Sequence, residues 1–321
     1  MNITAKLDGP SSRTEGWKST LRDYLELIRF SHTIFALPFA VLVSVWAWIL
    51  LNRESERFSF PWTSLLGILV CMVAARSFAM GVNRMVDAKI DALNPRTASR
   101  HLPSGRLSTQ GVLLFVLGCA TVFVAGTALF FPNTLPIRLA VPLLIFLAGY
   151  SFAKRFTVLV HFWLGTALGL APVCAWIALR GDIVMRVPSD ILPATLVGLS
   201  VFLWVAGFDL IYACQDAQID RDLGLKSLPA WLGVSGALRV AAFCHALMLL
   251  PLAIIVRLCP QLGLGMIYWL GLIVVAVLLI YEHSVVSSKN LAKVNVAFFQ
   301  ANAVISMILL VTGVVDAWFG A

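Results

Sequence analysis

The chain contains nine apolar stretches, each long enough to cross a lipid bilayer as a helix. An α-helix rises about 1.5 Å per residue, so roughly 20 apolar residues span a hydrocarbon layer ~30 Å thick. Of the 321 residues, 60% are hydrophobic and 12% are charged, whereas about 25% are charged in a typical water-soluble domain. We therefore predict an all-α polytopic membrane protein with helices at 33–52, 64–86, 110–130, 135–152, 158–178, 191–214, 237–257, 264–283 and 295–317.

The segments around these stretches predict domain limits and orientation. Residues 1–24 are polar, and we expect a disordered cytoplasmic tail there and one transmembrane domain over 25–321. Basic residues are concentrated before the first helix and after the even-numbered ones, which predicts a cytoplasmic N-terminus. This bias, together with anionic lipid, accounts for the net charge of +8 without any nucleic-acid partner.

Cysteines and histidines show no spacing typical of a metal site or a disulfide framework. The six cysteines are scattered through apolar stretches without a Cys-x-x-Cys pair, and the five histidines are equally dispersed. We interpret the cysteines as small buried side chains. We interpret His245 and His283 as packing residues between helices.

Acidic residues form two stripes at the ends of predicted helices 2 and 6. Positions four and seven apart on a helix differ by only about 40° and 20°, so each set shares one face. Carboxylates at the end of an apolar helix are costly unless a cation lies between them, and hard oxygen ligands favour Mg²⁺ bound with a phosphate group. The two stripes are Asn83, Asp87 and Asp91, and Asp209, Asp216 and Asp220. Without metal, we expect these carboxylates to be partly protonated or loosely held, because they repel one another.

Basic and aromatic residues complete the candidate site. Lys154 and Arg155, at the end of helix 4, are suitable donors for the oxygens of a departing phosphate. Tyr150 and Tyr212 belong either to an interfacial aromatic belt or to the phosphate site. Further basic candidates from the loops are Arg100, Arg106 and Lys226.

Arg76 lies within helix 2, seven residues before Asn83 and on the same face. An arginine inside a membrane marks a candidate site when it faces a cavity. The alternative is an arginine paired with Asp209 for packing alone.

Both acidic stripes are followed by a basic loop that contains proline, NPRTASRHLPSG and RDLGLKSLPAWLG. This repetition indicates a duplicated four-helix unit with the ninth helix left over. Sites in duplicated membrane folds lie between the repeats. We therefore predict a duplicated helix bundle with its site between the two halves.

Four segments carry a resemblance to a known family: LIRFSHTIFALPFA, RSFAMGVNRMVDAKIDALNPRTASRHLPSG, YSFAKRFT and GFDLIYACQDAQIDRDLGLKSLPAWLG. Over about residues 22–321 the chain resembles the UbiA superfamily of intramembrane prenyltransferases, in particular its 4-hydroxybenzoate polyprenyltransferase-like branch. The resemblance implies transfer of a polyprenyl group from its diphosphate to an aromatic acid in quinone biosynthesis, in a bacterial-type inner membrane. The acceptor is 4-hydroxybenzoate or, alternatively, a naphthoate of menaquinone biosynthesis. An ion-coupled transporter is the alternative from another functional class.

The resemblance also implies roles for individual residues. Two Mg²⁺ ions would be held by Asn83, Asp87, Asp91, Asp216 and Asp220, and they would bind the diphosphate over a central cavity that opens to lipid. Catalysis would then rest on Asp87, Asp216, Lys154 and Arg155, and substrate binding on Arg76, Lys154 and Arg155. By position in the sequence, Tyr150, Asp209 and Tyr212 are further candidates for substrate binding. Many relatives carry an acidic residue at the position of Arg84, so the first stripe here has one negative charge fewer. Candidates for the cavity wall are Phe30, Phe35 and Phe39.

Overall fold

A computed structural model describes residues 22–27, 37–55, 60–286 and 294–320. In these ranges the chain is helical and contains no β-strand, and nine helices are long and apolar enough to cross a membrane. They are α1 (Leu37–Ser55), α2 (Trp62–Leu93), α3 (Thr109–Gly126), α4 (Leu135–Ala153), α5 (Val160–Arg186), α6 (Leu192–Ala213), α7 (Leu228–Leu247, continued by Leu249–Leu258), α8 (Met266–Val285) and α9 (Val294–Phe319). The predicted architecture of a multi-pass membrane protein is confirmed.

Two helices are longer than predicted because each continues across a kink. In α5 the backbone at Arg180 leaves the helical region, with φ −123°, and the helix then continues to Arg186. In α7 the kink lies at Gly233, whose φ of 72° suits a residue without a Cβ. The predicted limits at residues 178 and 237 therefore lie close to the kinks rather than at the helix ends.

The predicted break between the third and fourth helices is confirmed. A 3-10 turn, Thr127–Phe130, ends the first of them. The Asn133 side chain then donates hydrogen bonds to the carbonyl oxygens of Ile177 (2.7 Å) and Ala178 (3.2 Å) in α5. A Cβ at Gly181 would lie 2.4 Å from Asn133 Oδ1, so this close approach requires glycine. The connection is thereby fixed to α5.

Helices α5 and α6 pack closely enough for their backbones to touch. A Cβ at Gly169 would lie 2.5 Å from the carbonyl oxygen of Gly198, as expected where small residues let membrane helices approach. Large apolar side chains such as Leu114, Ile145 and Ile280 are exposed on the outer surface, which suits contact with lipid rather than water. Each acidic helix packs against its successor, α2 against α3 and α6 against α7, in keeping with the predicted duplication, which remains a prediction.

The start of the predicted domain is described only in part. The boundary at residue 24 lies within a short helix, 22–27, and residues 1–21 are outside the described part of the chain. Phe30 and Phe35 also lie outside it. Phe39 is a core residue rather than part of the cavity wall, because it is 1% exposed and its ring lies 5.3 Å from that of Trp204.

Candidate active site

The first acidic stripe lies on one face of α2, as predicted. Asp87 and Asp91 are buried, and the Asn83 amide donates a hydrogen bond to Asp87 Oδ2 at 3.0 Å. Helix α2 continues to Leu93, so the whole stripe is helical. Thr97 Oγ1 then donates to the carbonyl oxygen of Asp91 at 3.0 Å, which satisfies a carbonyl in the last turn.

The second stripe does not follow one continuous helix face, so that part of the prediction is wrong. Helix α6 ends at Ala213, and a 3-10 turn, Cys214–Asp216, precedes a short helix, Ala217–Asp222. Since a 3-10 turn has about three residues instead of 3.6, it changes the direction of the later side chains. Asp220 is buried and accepts a hydrogen bond from Ser227 Oγ at 2.8 Å.

The carboxylates of the first stripe are paired with basic side chains. Arg100 Nη1 lies 2.7 and 2.8 Å from the two oxygens of Asp91. Arg155 Nη2 is 3.1 Å from Asp87 Oδ1, and Lys154 Nζ is 3.9 Å from Asp87 Oδ2. The predicted pair at the end of α4 therefore does reach the acidic residues.

Arg96 connects the two stripes. Its guanidinium binds both oxygens of Asp216, with 2.9 Å from Nε to Oδ1, and donates to the Tyr212 hydroxyl at 2.9 Å. Asn94 adds a contact to Asp216 Oδ1 at 3.4 Å. Burial alone would lower the pKa of Arg96, but the carboxylate of Asp216 more than reverses this and raises it. The loop after α2 thus closes over the end of α6.

These pairs correct the expectation of loosely held carboxylates for Asp87, Asp91 and Asp216. Each of the three has a partner of opposite charge, which relieves the repulsion within the stripes, whereas Asp220 is bound by the Ser227 hydroxyl. The cations come from loops and from the end of α4. A ligand that binds together with metal cations would have to displace these basic side chains.

Asp209 pairs with a histidine. His161 Nδ1 is 2.7 Å from Asp209 Oδ2, and His161 is 3% exposed. The proposed packing partner of Arg76 is thus already bound to another side chain. His161 is a site residue that the sequence did not reveal, because a dispersed histidine carries no spacing signal.

Arg76 and Tyr150 line an apolar cavity of about 170 Å³ between α2, α3, α4 and α5. The other described lining residues are apolar or cysteine, among them Met72, Phe123 and Leu168. A smaller cavity of about 70 Å³ shares part of this lining and extends toward Phe130. Arg76 is seven residues from Asn83, or about 10 Å along the helix axis, so the cavity begins below the acidic residues.

The remaining basic candidates differ in position. Arg100 is in the site, whereas the Arg106 guanidinium bonds the carbonyl oxygen of Ser99 at 2.7 Å, away from the stripes. Lys226 Nζ donates to the carbonyl oxygen of Phe156 at 3.3 Å. The backbone N–H of Lys226 donates to the carbonyl oxygen of Lys154 at 2.7 Å. Lys226 therefore connects the loop after α6 to the end of α4.

Arg84 is buried and faces the short helix 22–27. Its Nε donates to the carbonyl oxygen of Leu27 at 3.4 Å, and Nη1 lies 3.5 Å from Asn83 Oδ1. Arg84 thus joins the first stripe to the N-terminal helix.

The acidic end offers oxygen donors suited to Mg²⁺. Carboxylates and an amide oxygen are the ligands that hard divalent cations prefer, usually combined with water and substrate phosphate. The side chains with these oxygens are Asn83, Asp87, Asp91, Asp216 and Asp220. Their chemistry fits the ion that the sequence predicts.

Comparison with known proteins supports the same assignment. The UbiA prenyltransferase family profile matches residues 41–304. A 4-hydroxybenzoate octaprenyltransferase from Xanthomonas euvesicatoria is 30% identical over 91% of this chain and 91% of its own, and one from Vibrio campbellii is 27% identical over 92% and 97%.

Solved structures share the fold. The apo structure of a UbiA homologue from Aeropyrum pernix K1 is 31% identical, with a TM-score of 0.75 over 89% of this chain and 98% of that one. The structure of a UbiA homologue from Archaeoglobus fulgidus bound to DMAPP and Mg²⁺ is 19% identical and has a TM-score of 0.65. The match covers 92% of this chain and 99% of that one, which shows a common fold. Together with the family match, these likenesses show that the chain belongs to the UbiA prenyltransferase family of membrane enzymes.

Proposed function

We propose that this enzyme transfers a polyprenyl group from a polyprenyl diphosphate to 4-hydroxybenzoate in quinone biosynthesis. The observation that carries the proposal is the position of the acidic end directly above an apolar cavity that contains Arg76. The names of the curated relatives specify this donor and acceptor chemistry. The basic loops further favour a cytoplasmic position for the acidic end in a bacterial inner membrane.

The oxygen donors of the two stripes would hold Mg²⁺ together with the diphosphate. The structure of a homologue with DMAPP and Mg²⁺ supports metal use, and two stripes favour two ions. Bound Mg²⁺ supplies positive charge that stabilises the diphosphate as the allylic C–O bond breaks. Asn83, Asp87 and Asp91 would serve one stripe, and Asp216 and Asp220 the other.

The basic side chains that now bind the carboxylates would turn to the substrate. Lys154, Arg155, Arg96 and Arg100 all lie beside these carboxylates. When metal takes over the carboxylates, the four cations can donate to diphosphate oxygens. Their hydrogen bonds strengthen as negative charge grows on the leaving group, which is selective stabilisation of the transition state.

The acceptor would occupy the upper part of the cavity. Arg76 offers two parallel donors to a carboxylate, and Tyr150 lies beside it in the lining. A cavity of about 150 Å³ is sufficient for a benzene ring, so 170 Å³ suits one aromatic ring rather than a whole polyprenyl chain. The chain would continue into the adjoining cavity and the lipid.

In the reaction, the diphosphate leaves with the electron pair of the C–O bond. The ring carbon ortho to the phenol oxygen forms the new C–C bond, and the proton on that carbon is then lost. The apolar lining keeps water from capturing the allylic cation first. His161 holds the carboxylate of Asp209 near this end of the cavity, which suits Asp209 for orienting the phenol.

An acceptor panel tests the proposal. Membranes that contain the protein would receive one long prenyl diphosphate and either 4-hydroxybenzoate or a dihydroxynaphthoate, with Mg²⁺ or with EDTA. We expect prenylated 4-hydroxybenzoate only in the presence of Mg²⁺. Product from the naphthoate alone would support the menaquinone alternative, and no diphosphate release with either acceptor would contradict both.

A further inference from the structure

Three potential metal ligands converge outside the active site, where the short helix 22–27 meets the loop after α2. Asp23 and Glu26 are three residues apart and so share one face of that helix. His101 belongs to the loop, and its Nε2 lies 3.5 Å from Asp23 Oδ1 and 3.5 Å from Glu26 Oε2. The three ligand atoms all lie within 4.8 Å of one another.

The His101 ring is buried and points into this cluster. The residue is 8% exposed, and its Nε2 makes no hydrogen bond within the described part of the chain. Distances of 3.5 Å exceed those of N–H···O bonds, which are about 2.7–3.2 Å.

Two of the three ligand separations match those around a tetrahedral ion, and the third is at most 4.8 Å. With Zn–N and Zn–O bonds of about 2.0–2.2 Å, two ligands of Zn²⁺ lie about 3.4 Å apart. The observed separations of 3.5 Å nearly match this value. An imidazole nitrogen beside two carboxylates suits Zn²⁺ better than Mg²⁺, and the partly exposed Glu26 leaves a fourth position for water.

The surrounding contacts hold the ligands in place and leave room for an ion. Tyr24 stacks on Phe115, with ring centroids 5.0 Å apart, and the carbonyl oxygen of His101 accepts from Leu107 N at 3.1 Å. Arg22 binds Oε1 of Glu26 at 2.7 Å and leaves Oε2 for the cluster. Arg106 lies 3.8 Å from Asp23 Oδ1, so it makes no hydrogen bond there and can move away.

We propose that Asp23, Glu26 and His101 form a second metal site, of the Zn²⁺ class. The site is independent of the proposed reaction. It joins the helix 22–27 to the loop that carries Arg96 and Arg100, the two arginines on the active-site carboxylates. An ion here would fix the position of that loop.

Zinc binding tests this proposal directly. The full chain, without an affinity tag, would be stripped with a chelator, given excess Mg²⁺ and one equivalent of Zn²⁺, and desalted. Elemental analysis should then find about one Zn²⁺ per chain, and Co²⁺ in its place should give the visible absorption of a tetrahedral site. His101→Gln should retain less than about one tenth of the metal, since it removes the only nitrogen ligand.

Two further variants keep the result interpretable. Glu26→Gln changes a partly exposed residue and should also lose the metal, even if His101→Gln fails to fold. His283→Gln changes a histidine outside the cluster and should retain Zn²⁺ like the unmodified protein. Wild-type protein that keeps no Zn²⁺ in excess Mg²⁺, or Zn²⁺ that persists in both cluster variants, would overturn the proposal.

Discussion

At the acidic end of the bundle the anions are more deeply buried than their cations, whereas at the opposite end the cation is the more deeply buried partner. Asp87 is 5% exposed and its partner Arg155 34%, and Asp91 is 8% exposed against 22% for Arg100. At the opposite end Arg180 is 2% exposed, and its partner Glu54 is 51% exposed. Arg180 also binds Asp190, with 3.0 Å from its Nε to Asp190 Oδ2.

This difference distinguishes ion pairs that a ligand can replace from ion pairs that stabilise the fold. The arginines at the acidic end are partly exposed and regain water when they leave, so metal can replace them as partners of the buried carboxylates. A buried arginine cannot leave its partners without a large desolvation penalty. Arg180 also lies at the kink of α5, where the backbone departs from helical geometry. We therefore expect substitutions at the two ends to affect different properties, activity at one and stability at the other.

The largest effect on activity is expected from the buried carboxylates. Asp87→Asn or Asp216→Asn should lower kcat roughly a thousandfold, because the oxygens that hold the metal lose their charge. Thermal stability in detergent should change little, since the arginines that lose their carboxylate, Arg155 and Arg96, are about one third exposed and can be hydrated instead. Turnover and melting temperature would be measured beside Asp222→Asn, an exposed carboxylate at the same end. Near-normal turnover of both variants in Mg²⁺ would refute the metal site.

Arg76 should determine how well the acceptor binds and leave binding of the prenyl donor unchanged. Arg76→Gln should lower kcat/KM for 4-hydroxybenzoate by about ten- to a hundredfold. This decrease corresponds to the loss of one hydrogen bond to a charged group. The KM of the prenyl diphosphate should stay the same, and the preference for a carboxylated over a decarboxylated phenol should disappear. Arg76→Lys, which keeps the charge, serves as the control. A variant that retains this preference would show that Arg76 does not bind the acceptor.

A smaller effect is expected at the end of α4. Arg155→Lys should lower kcat roughly tenfold and raise the donor KM less, because a point charge replaces two parallel donors. The exposed Arg221→Lys is the matched control. Steady-state kinetics with varied prenyl diphosphate distinguish the two parameters. If only the donor KM rises, Arg155 binds the ground state as strongly as the transition state.

The smallest effect on turnover, and the clearest on stability, is expected at the opposite end. Arg180→Met should leave kcat per folded molecule unchanged and lower the free energy of unfolding by roughly 3 kcal/mol, since the Asp190 side chain, only 13% exposed, loses its cation. Thermal melts and active-site titration would measure the two quantities separately. A fall in kcat without a fall in melting temperature would contradict the division between the two ends.

The helices could be predicted from the sequence because bilayer thickness sets their length and few charges interrupt them. All nine were predicted, and the α3–α4 break was located from its proline and asparagine turn. The kinks at Arg180 and Gly233 could not be predicted. At Arg180 the kink accompanies contacts with other elements, the carboxylates of Glu54 on α1 and of Asp190 before α6.

The first acidic stripe could be predicted because helical spacing brings its members together, whereas a 3-10 turn divides the second. The pair of Arg96 with Asp216 could not be predicted, since the two residues are 120 positions apart and come from different loops. The contact of His161 with Asp209 likewise joins α5 to α6 across 48 positions. Spacing within one helix is visible in a sequence, whereas the packing of one helix on another is not.

The central claim is that metal releases the buried carboxylates from their arginines and so creates the diphosphate site. Calorimetric titration of the protein with a prenyl thiodiphosphate, which resists ionisation, tests this claim most directly. We expect tight binding in Mg²⁺, binding at least about a hundredfold weaker in EDTA, and no effect of Mg²⁺ in Asp87→Asn. Equal affinity with and without Mg²⁺ in the unmodified protein would contradict the account.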